Sequence, residues 1–144
     1  MTTTLDKIVY TAHAIVTGGR KGGHGRTSDG QLDVDLQAPT EMGGPGDGTN
    51  PEQLFAVGYG ACFTGALGLA GKAEGIDTSQ ATTEVVVHFG PEGESFAIGV
   101  EIDVTIPGID DPTAQKLVDR THELCPYSKA TRGNVDVVVT GRGA

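Results

Sequence analysis

Eighteen consecutive residues, Leu54 to Gly71, carry no charge. That length approaches a membrane span. Five glycines interrupt the stretch, at 58, 60, 65, 68 and 71, and large aliphatics are few. No other part of the chain resembles a span. The stretch therefore reads as a helix buried at the centre of a globular protein. Its start is punctuated: Asn50 suits an N-cap, Pro51 the first helical position, and Glu52 the first turn. It runs to about Ala73, where Gly75 can cap it.

Alternating patterns surround this helix. Ile8, Tyr10, Ala12, Ala14 and Val16 predict a strand over residues 7–17. Leu32, Val34 and Leu36 predict another over 31–37, and the two read as neighbours across a polar glycine turn, KGGHGRTSDG. After the central helix, residues 82–89 are β-branched and 95–106 alternate strictly, with GPEGE as the hairpin turn. Asp111-Pro112 opens a second helix with an apolar face of Ala114, Leu117, Val118, Thr121, Leu124 and Cys125, which Pro126 ends. Residues 134–140 form a last strand. The order ββαββαβ predicts an α+β fold with largely antiparallel sheet around a central buried apolar helix. The 144 residues fit one domain, 1–144.

The net charge of −9 argues against a nucleic-acid partner, which needs clustered Lys and Arg. The N-terminus lacks the basic and apolar regions of a signal peptide, so the expectation is a cytoplasmic protein that does not bind membranes. His13, His24, His88 and His122 show no HxxxH spacing and there is no CxxC, so no metal site is expected.

Two cysteines remain, Cys62 in the uncharged helix and Cys125 at the end of the second. Two small buried thiols in a core are one reading. The other is a redox pair: a fixed attacking thiol at Cys62 and a mobile resolving thiol beside a chain break at Cys125. The redox reading needs a cation. An apolar helix raises a thiol pKa, and only the thiolate is nucleophilic. Arg20, Lys21, Arg26, Lys129 and Arg132 are the candidates.

Three strings carry a resemblance that covers about residues 8–142: Gly18-Gly19-Arg20, TNPEQLFAVGYGACF from Thr49 to Phe63, and CPYSKATRGNVDV from Cys125 to Val137. The chain resembles the organic hydroperoxide resistance (Ohr) proteins of the Ohr/OsmC family, and its CPYS string is similar to the Ohr rather than the OsmC branch. The resemblance implies a thiol-dependent peroxidase that reduces alkyl and fatty-acid hydroperoxides to alcohols. It places the peroxidatic cysteine at Cys62, the resolving cysteine at Cys125, the catalytic arginine at Arg20 and its glutamate partner at Glu52. It also implies an intertwined homodimer, recycling by the dihydrolipoyl group of a lipoylated protein, and no metal or flavin cofactor. No role is carried onto Lys21, His24 or Arg26. An OsmC-type peroxidase and a non-catalytic redox sensor are the alternatives.

Glu52 and Cys62 lie ten residues apart on one predicted helix. That is roughly 15 Å along the axis, at different azimuths. A site that uses all four residues is therefore expected to be shared, with Arg20 and Glu52 of one chain facing Cys62 and Cys125 of another; a kinked helix, or a long Arg20 reaching down its own chain, is the competing account.

Overall fold

The computed structural model describes residues 2–144. They form two compact units, one ending at Leu54 and one running from Phe55 to Ala144. The element order is three strands, a long helix, two strands, two helices and a final strand, so the fold is α+β as expected. The predicted order ββαββαβ lacks a strand and a helix.

The added strand lies in the first unit. β1 (Ala14–Thr17), β2 (Gly23–Thr27) and β3 (Asp33–Leu36) form an antiparallel sheet in the order β1-β2-β3. The expected neighbours therefore do not pair with each other; the strand hidden in KGGHGRTSDG lies between them. Its apolar positions are glycines. Gly23 and Gly25 are buried while His24 and Arg26 are exposed, which is a period of two without hydropathy. Gly25 sits between Val16 and Val34 in register, and a Cβ on Gly23 would come within 2.4 Å of the Thr17 carbonyl oxygen. Charge pairs across the strands do what side-chain packing does elsewhere. His24 bridges Asp33 at 2.6 Å and Asp35 at 2.8 Å, and Arg26 lies 3.4 Å from Asp33.

The predicted strand over 7–17 is shorter than its alternation suggests. Only Ala14–Thr17 pairs with β2, and His13 lies outside it. Ile8, Val9 and Tyr10 are more than 70% exposed.

The long helix α1 spans Pro51–Glu74 and begins and ends where the sequence places its caps. Asn50 Oδ1 accepts the Gln53 N–H at 2.8 Å, and Gln53 Oε1 accepts the Asn50 N–H at 3.1 Å, a reciprocal capping box. At the other end Gly75 takes φ 70°, and the Ile76 N–H donates to the Gly71 carbonyl at 2.8 Å, closing a Schellman turn.

In the second unit, β4 (Thr82–Glu92) and β5 (Ser95–Ile106) form the expected hairpin. α2 (Asp111–Leu124) starts at Asp110, whose carboxylate accepts the Thr113 N–H. Pro126 does end α2, and it also opens a further short helix, α3 (Pro126–Thr131). The chain then enters β6 (Val137–Gly143), which pairs parallel to β5. The second sheet, β4-β5-β6, is thus mixed, because β6 returns through a helical crossover rather than a hairpin. The expectation of a largely antiparallel sheet holds for the first sheet and for β4–β5 only.

The core of this unit packs Tyr59, Phe63, Ala66, Leu67 and Ala70 of α1 against Val100, Ile102, Val104 and Ile106 of β5 and Leu117 and Val118 of α2. α1 is the one helix among the described residues that is long and apolar enough to cross a membrane, and a third of its apolar window is buried. It is not buried all round, as the lack of charge suggested. Val57 and Leu69 on its other side are 73% and 69% exposed.

Candidate functional site

Each unit contributes one pair of the residues singled out above. In the first, Arg20 stands on the turn between β1 and β2. Gly18, Gly19 and Gly22 take φ of 73°, 68° and 78° there, a region that side chains rarely adopt. The turn delivers the guanidinium to Glu52 in the first turn of α1. Nη1 donates to Oε2 and Nη2 to Oε1, both at 3.0 Å. This bidentate fork fixes the guanidinium plane as well as its distance. The arginine side chain is 33% exposed and the glutamate 16%. The hydrogen bonds from Arg20 hold the Glu52 carboxyl below the usual carboxylate range against the opposing effect of burial. Glu52 in turn pushes the guanidinium above its ordinary value.

In the second unit, Cys62 is half-buried on α1 and Cys125 is buried at the joint of α2 and α3. Both are free thiols. The fold brings them together, since the Cys125 thiol lies within hydrogen-bonding reach of Cys62. Burial pushes the Cys62 thiol above its ordinary pKa. The Tyr127 N–H hydrogen-bonds the sulfur and works the other way, and the neighbouring Cys125 adds to the rise. This is the desolvation expected of a thiol on an apolar helix. Within its own unit the surroundings of the sulfur thus disfavour the thiolate, the form that attacks.

Tyr59 and Phe63, which flank Cys62 in sequence, are fully buried core residues. The aromatic surface around the thiols comes from residues the sequence did not single out. Tyr127 packs on Phe55 with ring centroids 6.2 Å apart and on Tyr59 at 5.7 Å. Gly58 makes room for it, since a Cβ there would stand 3.0 Å from the Tyr127 hydroxyl. A shallow, mostly apolar cavity of about 650 Å³ opens elsewhere on α1, lined by Val57, Gly60, Ala61 and Thr64 among others and floored by Thr83 and Val85.

A polar cluster lies outside the residues that the sequence pattern marks: Tyr59, Ser128, Thr131 and His122 are joined by hydrogen bonds. Its only trace in the sequence is the density of hydroxyl residues around Cys125. His24 and His88 make ordinary surface pairs, His24 with Asp33 and Asp35 and His88 with Glu101 at 2.5 Å. Among the described residues, no group of three or more His, Cys, Asp or Glu side chains is arranged to hold a metal ion.

Residues 44–140 match the family model described as OsmC-like protein. The chain is 47% identical to the organic hydroperoxide resistance protein of Xanthomonas axonopodis pv. citri over 137 residues, 94% of this chain and 96% of that one. Among solved structures, it is similar to the organic hydroperoxide resistance protein OhrB of Bacillus subtilis, at 44% identity and TM-score 0.84, covering 92% of this chain and 98% of that one. An organic hydroperoxide resistance protein of Legionella pneumophila matches at 43% identity and TM-score 0.87, covering 92% and 97%.

Proposed function

The chain belongs to the OsmC-like family, in its organic hydroperoxide resistance branch, and from that premise we propose that it is a cytoplasmic thiol peroxidase for organic hydroperoxides. The observation that carries the reading is the meeting of Cys62 and Cys125 as free thiols, one half-buried and one buried. A half-buried sulfur can receive substrate, and a buried neighbour can trap what forms.

The chemistry balances in three steps. The Cys62 thiolate attacks one peroxide oxygen, an S–O bond forms, the O–O bond breaks, and the departing alkoxide takes a proton to leave as the alcohol. The resulting sulfenic acid condenses with the Cys125 thiol to a disulfide and water. A dithiol then exchanges with that disulfide and becomes oxidised itself. A dihydrolipoyl group on a lipoylated protein is the proposed dithiol.

The first step needs the thiolate, and burial opposes it. Arg20 is the proposed cation, acting on Cys62 and on the developing alkoxide. Glu52 holds its guanidinium plane. A single charge at about 4 Å is worth roughly 4 kcal/mol at an effective dielectric of 20. At about 1.4 kcal/mol per pKa unit, that is enough to offset a moderate desolvation penalty.

The proposed working form is a homodimer in which Arg20 and Glu52 of one chain serve Cys62 and Cys125 of the other. The exposed apolar residues Ile8, Val9, Tyr10, Val57 and Leu69 support a second copy, because monomers seldom leave so much apolar surface in water. Steady-state reduction of cumene, tert-butyl and fatty-acid hydroperoxides, driven by dihydrolipoamide or by thioredoxin, tests the function. Dihydrolipoamide is expected to support turnover better. Bulky hydroperoxides are expected to outpace hydrogen peroxide, each buried methylene contributing about 0.8 kcal/mol. Equal efficiency with hydrogen peroxide would count against it. Mixing the inactive variants Cys62→Ser and Glu52→Ala tests the sharing. Random assortment into a two-fold dimer restores up to about a quarter of wild-type activity, and confirmed subunit exchange without recovery places the site in one chain.

A further inference from the structure

The polar cluster beside the thiols takes no part in the chemistry above. Tyr59 Oη lies 2.8 Å from Ser128 Oγ and 3.2 Å from Thr131 Oγ1. His122 Nδ1 lies 2.7 Å from the same Ser128 Oγ. Tyr59 and Ser128 are fully buried, Thr131 nearly so, and His122 half-buried. Burying so many polar atoms is costly unless each finds a partner, and a partly satisfied network is worse than an apolar core. Every buried side-chain polar atom among the described residues has one. The cluster is therefore satisfied as a whole, and it is specific in geometry where an apolar contact would not be.

Its placement gives it a use. Tyr59 stands on α1, three residues before Cys62. His122 stands on α2, three before Cys125. Ser128 stands on α3, three after it. One hydroxyl thus joins the three helices that carry or flank the two sulfurs. Cys125 itself has an extended backbone, φ −62° and ψ 125°, so the chain bends at the residue whose position matters most. The Arg132 guanidinium closes the bend from the far side, donating to the His122 carbonyl at 2.6 Å. Burial and the nearby Arg132 both disfavour the imidazolium form of His122. Each group in the line from His122 through Ser128 to Tyr59 can both donate and accept in its neutral form, so both bonds can be made together.

We propose that the Ser128 hydroxyl, held between Tyr59 and His122, is a positioning residue for the resolving step: it keeps Cys125 aligned with Cys62 so that the sulfenic acid is captured before a second peroxide reaches it. The inference rests on the peroxidase reading above. In the step concerned, the Cys125 sulfur supplies the electron pair of the new S–S bond. The S–O bond on Cys62 breaks, and the hydroxyl leaves as water with the Cys125 proton. No other reactant is needed. The competing reaction is attack of the sulfenic acid on a second hydroperoxide to give sulfinic acid. Capture within one chain depends on alignment, and a misplacement of about 1 Å can cost on the order of a hundredfold. The first attack involves Cys62 and an incoming substrate, and Ser128 bears on it as the chain neighbour of Tyr127, whose N–H hydrogen-bonds the sulfur.

Single-turnover experiments on the full chain separate the two steps. The reduced protein is mixed with cumene hydroperoxide. Alcohol formation reports the attack, and loss of thiol with disulfide formation reports capture. Mass spectrometry at rising hydroperoxide concentration reports sulfinic acid. In Ser128→Ala, alcohol formation is expected to fall no more than about fivefold, the worth of about one hydrogen bond. Disulfide formation is expected to fall roughly tenfold to a hundredfold, and sulfinic acid to appear at correspondingly lower peroxide. Tyr59→Phe is expected to be intermediate. His122→Asn, whose amide offers a polar atom near the position of Nδ1, is expected to keep more of the capture rate than His122→Leu. Equal slowing of both steps would mean a merely structural cluster and overturn the proposal, as would a lower melting temperature with capture unchanged. Should Ser128→Ala fail to fold, Tyr59→Phe and the two His122 variants decide by the same criterion. A wild type that does not reduce cumene hydroperoxide overturns the peroxidase reading and this inference with it. A working wild type whose variants resolve at its own speed overturns this inference alone.

Discussion

Arg20 and Glu52 are held by one bidentate ion pair on a glycine turn, whereas Cys62 and Cys125 are held by a packed core and a hydrogen-bonded hub. The first arrangement is inexpensive to displace. A partly exposed ion pair contributes about 1 kcal/mol or less, and three glycines with positive φ give its loop little intrinsic stiffness. The second is expensive to displace, because any shift opens buried polar bonds and apolar contacts together. The difference matches the two tasks proposed. A cation that stabilises charge on an incoming substrate tolerates movement, and two sulfurs that must bond tolerate little. On this view the sulfur pair is the fixed half and the arginine pair the adjustable half; Cys125, expected to be mobile beside its chain break, is instead fully buried in the core because α3 continues the chain directly after it.

The comparison breaks most sharply at the sulfur. Cys62→Ser is expected to reduce hydroperoxide turnover to background, because the other thiol, Cys125, is fully buried. Steady-state consumption of cumene hydroperoxide measures it, and undiminished turnover would end the assignment. Cys125→Ser is expected to leave one turnover and then to accumulate sulfenic and sulfinic acid, read by mass spectrometry.

Arg20→Ala comes next. Without the cation, burial and the neighbouring Cys125 outweigh the Tyr127 N–H, and the Cys62 thiol stays above its ordinary pKa. The rate at neutral pH is expected to fall roughly a hundredfold, from a loss of about two pKa units. Its pH profile should move to higher pH. Arg20→Lys is expected to recover part of the rate, since an ammonium supplies charge without the planar fork. A pH–rate profile identical to wild type in Arg20→Ala would mean that another cation acts on the sulfur.

The Glu52 carboxyl has its folded-state pKa lowered by Arg20. Its contribution to stability is therefore complete above the unfolded carboxylate pKa, near 4.3, and is lost as pH falls through the lower folded value. Glu52→Gln should remove that acid-side loss while leaving the cysteine pair intact. Denaturant midpoints from pH 7 down to pH 3 are expected to converge for wild type and variant at the acid end. A gap that stays constant with pH would show that the carboxylate charge is not what the pair uses.

How much of this was legible in the chain depends on how local the cause is. The capping of α1 by Asn50 and Pro51 and its end at Gly75 are local chemistry, and the structure places them where the residues indicate. The strand β2 was invisible because its buried positions are glycines, which carry no hydropathy signal. The excess strand over 7–13 had the signal without the partner: alternation allows a strand, but only pairing makes one. The four site residues were read from resemblance, and Arg20 and Glu52 pair as that reading expected. Ser128 and His122 were not legible, because a buried hydroxyl hub depends on which helices cross, and α3 was not itself foreseen.

The smallest expected effect concerns the exposed side of α1 and is decided by its sign. Gly68 is helical and exposed, and a Cβ there would meet nothing within 4 Å. On a water-facing helix Gly→Ala contributes about 1 kcal/mol of stability, from backbone entropy in the unfolded chain. On a face covered by a second chain, the added methyl displaces a close-packed neighbour, and overpacking costs typically about 1–3 kcal/mol. The proposed homodimer places a partner against Val57 and Leu69, which flank this stripe and are otherwise left in water. Gly68→Ala is therefore expected to weaken the dimer and lower its denaturant midpoint, more so at low protein concentration. Unfolding curves at two concentrations, with sedimentation velocity on the same samples, measure both quantities. A gain of about 1 kcal/mol at every concentration would show that this side of the helix faces water and is not the dimer face.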